Sequence, residues 1–389
     1  MGVRKLFMRV VASVISIHSS DTAGVCSALY ELGGLTVVHD ASGCNSTYAT
    51  HDEPRWYDHG SRTYISALTE TDAIMGNDER FIENVVNAAK DSGNPPFIAV
   101  CGSPLPMMVG TDFDALGAEI EYRSKIPVLA LHTNGIKSYL SGVNQSLCAF
   151  AERFCREGLA KDPRKVNILG ATPLDFSVNG EIENIRRLLE ENGFEVNSCW
   201  SMGSSFDELC NAGAAGVNLL ISSSAKELAL YFEKRFGTPF VAGVPVGRAF
   251  AACCVESLKK AARTGVSSIP CLSERVPGDE AAVIGETLFA SSLCCALQME
   301  QKIASHLLNP LEEEFAFMHS NEINVPDESA VADAFGKVPR IYADPLYKPV
   351  APRGTTFIPI PHEAFSGRCF RKGMRSLCGK ELQKEFEIC

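Results

Sequence analysis

From residue 97 onward, short β-rich runs alternate with stretches whose apolar residues recur at helical spacing, and this alternation leaves the chain very few architectures. FIAVCG (97–102), VLALHT (128–133), VNILG (166–170), VNLLISS (217–223) and PFVAGVPV (239–246) read as strands buried in parallel sheets. Parallel neighbours need crossovers, and helices fill the gaps. In GEIENIRRLLEENG, Ile182, Ile185, Leu188 and Leu189 recur at helical spacing, and Gly193 is placed to end the helix. Ser205 with Glu208, and Ser224 with Glu227, have capping-box spacing, in which hydroxyl and carboxylate satisfy free amides of a first turn. Strand, capped helix and strand in repetition predict an α/β fold of doubly wound sheets.

A chain of 389 residues exceeds what one hydrophobic core usually fills. A second series opens at KVNILG after the polar AKDPR, and a third at AAVIGETLFASSLCCALQMEQ after SERVPGDE. The predicted domains are therefore residues 1–160, 161–275 and 276–389, with RIYADP and FIPIP (357–361) as strands of the last. With 46% hydrophobic residues the chain can bury sizeable cores. Its net charge of -11 would repel a phosphate backbone, which argues against nucleic acid. The N-terminal MGVRKLFMRVVASVISIHSS superficially resembles a signal peptide, but its apolar part is short and is expected to be a buried helix or strand. No segment approaches the length of a membrane span.

Fifteen cysteines, odd in number and including the neighbours Cys253-Cys254 and Cys294-Cys295, do not form a disulfide framework, so a reducing, cytoplasmic setting is expected. No C-x-x-C occurs, so any metal held by thiolates must be assembled by the fold. Free cysteine often behaves as a small buried hydrophobe, and that reading covers Cys148, Cys155, Cys210, Cys253, Cys254, Cys294 and Cys295 in helix-like segments. Cys26, Cys44 and Cys101 differ. Each has glycine within two residues and stands at an inferred turn between strand and helix, where doubly wound sheets place ligands. Their separations, 18 and 57 residues, suit a shared site only if three loops converge.

GVCSALYELGGLTVVHDASGC, followed some fifty residues on by VCGSPLPMMVGTDFDAL, resembles the cluster-binding region of nitrogenase component 1 and its relatives. Those relatives include the dark-operative protochlorophyllide reductases and the nickel-sirohydrochlorin a,c-diamide reductive cyclase. Cys26 matches the family's first cysteine, His39 through Cys44 its His-Gly-x-x-Gly-Cys, and Cys101 its third, with Gly110 and Asp112 at the following helix start. Asp40 stands where glycine is usual and Ala41 where proline is common. VNLLISSSAKELALYFEKRFGTPF and VIGETLFASSLCCAL resemble the middle-domain strand and helix and the start of the third domain.

The resemblance implies three Rossmann-like domains around a central cleft. It implies an iron–sulfur cluster, 4Fe-4S or an eight-iron P-cluster-like type, held by Cys26, Cys44 and Cys101 and shared between subunits. Three thiolates per chain fall short of the four a cubane takes, so the partner would be an identical chain or a paralogous subunit. Electrons would come from a separate ATP-dependent iron–sulfur reductase; the chain has no Walker A motif. A scaffold for cofactor assembly is the competing expectation, because the same family includes proteins that hold a growing cluster without turnover; NLLISSS, with serines where catalytic subunits carry a cofactor cysteine, is compatible with it. A Rossmann dehydrogenase is weaker, since VIGETLF and VNILGAT lack G-x-G-x-x-G.

Catalytic groups are less defined. His362 in PHEAFSG stands near the position of the family's cofactor histidine, though a histidine satisfied by hydrogen bonds explains it too. His51, Asp52, Glu53, Arg55 and His59, in THDEPRWYDHG, could supply protons or line the cluster rim, against the reading of a solvated loop. Arg248 and Arg368 could face an anionic substrate or make structural ion pairs.

Overall fold

A computed structural model describes residues 14–41, 53–55, 63–312 and 316–386. Its strands form three all-parallel sheets. The first has the order β2-β1-β3-β4 and comprises β1 (Leu35–His39), β2 (Thr63–Ile65), β3 (Ile98–Gly102) and β4 (Val128–Leu131). The second, β6-β5-β7-β8, is built from β5 (Asp162–Leu169), β6 (Glu195–Cys199), β7 (Ala215–Leu220) and β8 (Phe240–Ala242). The third, β11-β10-β9-β12-β13, uses β9 (Ala281–Ile284), β10 (Ser305–Asn309), β11 (Ile323–Asn324), β12 (Arg340–Ala343) and β13 (Thr356–Pro359). Each order runs outward from its first strand and then reverses, so each sheet has one switch point, β1/β3, β5/β7 and β9/β12. Crevices outside the strand carboxyl ends at such points are where this architecture takes ligands.

Every residue of β1 and β3 is buried, as expected for strands covered on both faces. The Glu181–Glu191 helix buries Ile182, Ile185 and Leu189, and Gly193 follows it at φ +88°. Ser205 and Glu208 form a reciprocal capping box. The second predicted box does not form. Ser223–Ala225 is a 3₁₀ turn, the helix begins at Lys226, and the Glu227 amide donates to Asn144 Oδ1 (3.2 Å) on another helix.

Two packing features join the first two sheets. Phe97 meets Phe150, which meets Trp200 edge-on at 5.8 Å; Trp200 in turn meets Phe232. Helices Asp21–Leu29 and Tyr139–Phe154 cross where two glycines replace side chains. A Cβ on Gly142 would lie 1.8 Å from the Asp21 carbonyl oxygen, and one on Gly24 would lie 2.2 Å from that of Tyr139. Among the described residues, no helix is long and apolar enough to cross a membrane.

Candidate functional site

The helix crossing fixes Cys26. It was expected in a turn but lies inside the Asp21–Leu29 helix, on the face turned to the first sheet. Cys101, expected in the strand FIAVCG at the turn that ends it, is the fourth residue of β3, paired with Val38 of β1. Gly24, read as a turn signal beside Cys26, permits close helix packing instead. The consequence is that the two thiols are neighbours at the carboxyl end of the first sheet, where Cys101 Sγ donates to the Val37 carbonyl (3.7 Å). Cys44 and His51 lie outside the described residues.

Both thiols are buried in the chain taken alone, Cys26 2% and Cys101 0% exposed, rather than displayed on its surface. Interaction with the Cys26 thiol pushes the Cys101 thiol well above its ordinary pKa, and burial adds to the shift. Without a cation, then, Cys101 is a protonated thiol; a metal ion would invert that preference. Polar groups frame the pair. The Thr133 hydroxyl donates to the Gly102 carbonyl (2.7 Å) and accepts from the Gly102 amide (2.9 Å), while the Thr22 hydroxyl donates to the same carbonyl (3.0 Å). The buried Asp21 carboxylate accepts from the amides of Thr22, Asn134 and Gly135, and burial raises its pKa despite them. At the end of β1, Ser103 donates to the Asp40 carboxylate and His39 Nδ1 stands 2.9 Å from Ser66 Oγ.

Two neighbouring thiols match the donor chemistry of a thiolate-held cluster. Among the described residues, no three His, Cys, Asp or Glu side chains are placed to hold a metal ion. The site thus brings together two of the three cysteines singled out by the sequence.

Glu53 and Arg55 are not in a solvated loop. The Arg55 guanidinium, 5% exposed, donates to Glu53 (2.6 Å), Glu31 (2.9 Å) and the carbonyls of Ser27 and Ser201. Burial opposes its charge, but the two carboxylates outweigh it and raise its pKa. Arg55 thereby clamps the Cys26 helix to the loop after β6. Arg248 and Arg368 are exposed.

A second cluster occupies the junction of the three sheets. His362, 6% exposed, follows β13; its ring stacks on Phe365 (4.5 Å), and its amide donates to Asp344 Oδ2 (2.7 Å). His362 Nε2 stands 3.4 Å from Asp175 Oδ1 without a hydrogen bond's alignment, and its Nδ1 also lacks a partner. Asp175, on the turn after β5, accepts from the Tyr139 hydroxyl. Glu286, at the end of β9, accepts from the amides of Ser223 (2.9 Å), Leu288 (3.0 Å) and Phe289 (2.8 Å). Burial, then the charge of Asp175, raises the Glu286 pKa, and burial likewise raises that of Asp344. Asp175 and Tyr139 carried no sequence signal, because their partners lie far along the chain, whereas Glu286 and Asp344 also cap the turns that follow them through nearby amides, a local pattern by which they could have been found. The cavity beside His362 and Asp175 measures about 50 Å³, and a larger one of about 610 Å³ lies between His18, Ser138, Glu312 and Tyr347.

A family model for nitrogenase component 1 type oxidoreductases matches residues 22–281. The chain belongs to that family. It is 27% identical over 185 residues to the nitrogenase iron-molybdenum cofactor biosynthesis protein NifE of Sinorhizobium fredii, a match covering 46% of this chain and 36% of that protein. The corresponding protein of Clostridium pasteurianum matches at 26% over 240 residues, 59% of this chain and 51% of the relative. One of the subunits of the light-independent protochlorophyllide reductase of Pinus thunbergii is 30% identical over 131 residues, 33% of this chain and 25% of that protein. The chain thus spans a quarter to about half the length of these relatives. The solved structure of nitrogenase Cp1 at pH 5 shares the fold, with a TM-score of 0.64 over 93% of this chain and 86% of that one, at 15% identity.

Proposed function

We propose that this member of the family is the catalytic component of a nitrogenase-like reductase. In this reading Cys26, Cys44 and Cys101 hold an iron–sulfur cluster at the β1/β3 switch point, and substrate binds at the junction lined by Asp175 and His362. The observation that carries it is the meeting of the Cys26 and Cys101 thiols at that strand end, with a chemistry suited to thiolate ligation once a cation is present.

The cluster would supply one-electron transfer at low potential, fed by a separate ATP-dependent iron–sulfur protein. The chain's own groups do the rest. Burial behind Arg55 and the helix crossing excludes water from the thiols, and Thr133 and Thr22 fix the Gly102 peptide beside them. The Tyr139 hydroxyl holds Asp175, which with His362 can hold and pass a proton at the junction. Three cysteines per chain call for a second subunit, a copy of this chain or a paralogue, to complete the coordination. Free thiols at all thirteen described cysteines suit a reducing compartment such as the cytoplasm. His362 as a ligand of a second metal is a weaker assignment within the same reading.

One observation favours a second reading, an assembly scaffold that holds a cluster without turnover. The loop after β7, Ser222 to Ser224, meets the junction through the Ser223 amide on Glu286 and carries no thiol, and relatives named for cofactor biosynthesis are among the matches. The test is anaerobic purification with iron, sulfide and mass measured per dimer, for which about four irons indicate a cubane and about eight the larger type. Reduction of a small molecule with reductase and ATP supports the enzyme; transfer of the cluster to an apoprotein without turnover supports the scaffold. Protein that takes up neither iron nor sulfide overturns both.

A further inference from the structure

The chamber beside His362 is a space for water, yet one of its walls is a strained segment with open space behind it. Pro173–Phe176 forms a helical turn that ends at Ser177, whose φ of 51° and ψ of -152° fall in a region almost restricted to glycine. Gly180 follows at φ +85°, and the Glu181–Glu191 helix then begins. Asp175 and Glu181, at the two ends of this segment, line the 50 Å³ chamber. Ser177, Val178, Gly180 and Glu181 line a groove of about 440 Å³ on the other side, which reaches Arg55 and Met202. One short stretch of chain separates the two.

Its fastenings are few. The Ser177 hydroxyl donates to Glu363 Oε2 (3.1 Å), itself clamped by Arg371, and the Ser177 amide donates to the Pro173 carbonyl (2.8 Å). Val178 at the tip is 56% exposed and buries no apolar anchor. Behind the segment, Asp175 Oδ2 and both His362 ring nitrogens are buried without a hydrogen-bond partner. Buried polar atoms left in this state are costly unless something else meets them part of the time.

We propose that residues 177–180 form a gate, closed in this structure, whose outward swing joins chamber to groove and brings Asp175 and His362 within reach of a polar ligand carrying N–H or O–H donors. Strain at Ser177 lowers the cost of opening, and the Ser177–Glu363 hydrogen bond is the latch. The purpose of the gate rests on the junction being a ligand site; the motion belongs to this chain alone.

The test compares Ser177→Ala with Ser177→Gly in the full chain. Both lose the latch hydroxyl, but only alanine keeps the strain. Carbethoxylation of His362 by diethyl pyrocarbonate, followed by mass spectrometry, reads opening, and amide exchange of residues 177–181 in the unaltered protein reads it independently. We expect His362 in Ser177→Ala to react about tenfold faster than in Ser177→Gly, the scale of the backbone strain. Amides 177–181 should exchange well ahead of those in β5. Equal His362 reactivity in the two variants, or exchange of 177–181 only together with β5, overturns the gate. If either variant fails to fold, the exchange pattern of the unaltered protein decides alone. A gate that opens in protein unable to take up iron leaves this inference standing and removes the functional assignment; iron uptake with a rigid segment does the reverse.

Discussion

The β1/β3 strand end and the three-sheet junction are both buried and both polar, but their donors differ in kind. The first gathers two thiols, with Asp21 and Asp40 close by; the second gathers Asp175, Glu286, Asp344 and His362 with the Tyr139 hydroxyl. Soft donors that suit iron sit at one strand end, and groups that hold protons sit at another. Burial alone does not mark the first as special. Cys199 and Cys271 are equally buried, and burial pushes each up to about 12. Nor does proximity to another thiol, since Cys254, Cys271 and Cys295 also lie near one another; what separates Cys26 and Cys101 is that their pair stands at a switch point.

This contrast can be broken by disturbing one cluster and watching the other. The largest effect is expected for Arg55→Met, which removes the buried guanidinium shared by Glu53, Glu31 and the Ser27 and Ser201 carbonyls and should cost about 3–5 kcal/mol in denaturant unfolding. The Cys26 helix would lose its clamp, so iron uptake should fall with stability. Gly142→Ala comes next. Its Cβ would meet the Asp21 carbonyl oxygen at 1.8 Å, and separating the helices should cost about 3 kcal/mol and displace Cys26 from Cys101. Tyr139→Phe sharpens the contrast from the other side. Losing a hydrogen bond to a buried carboxylate should cost about 2 kcal/mol while iron per chain stays unchanged, because the junction is not the thiol site.

The smallest expected effect is in pH dependence, and its sign differs between the regions. Burial lowers the His39 pKa below 6.5, so its contribution to stability is present above that value and lost as the pH falls through the lowered pKa. Burial raises the Glu286 pKa above 4.5, so its contribution is present below that value and lost as the pH rises through the raised pKa. NMR titrations should place the His39 midpoint below 6.5 and the Glu286 midpoint above 4.5. Opposite displacements would refute this electrostatic account of the two clusters.

β3 was legible because burial on both faces writes itself as an unbroken apolar run, and β3, β4 and β12 fall where FIAVCG, VLALHT and RIYADP stand. Cys26 and Cys101 were legible as partners only through the family resemblance. The local setting of Cys26 was misread, since a glycine near a cysteine signals close packing as readily as a turn. Ser224 and Glu227 have the capping spacing, yet Asn144 from a distant helix takes that role. The junction was legible only at His362. Asp175 approaches it across 187 residues of sequence, and no local pattern encodes such an encounter.

The central claim is that iron binds where the Cys26 and Cys101 sulfurs meet. Anomalous diffraction at the iron edge from anaerobically grown crystals tests it most directly. The account expects an iron peak bonded to both sulfurs and absent in Cys26→Ala; iron bound elsewhere, or an iron-free pair of thiols in protein prepared with iron and sulfide, would contradict it.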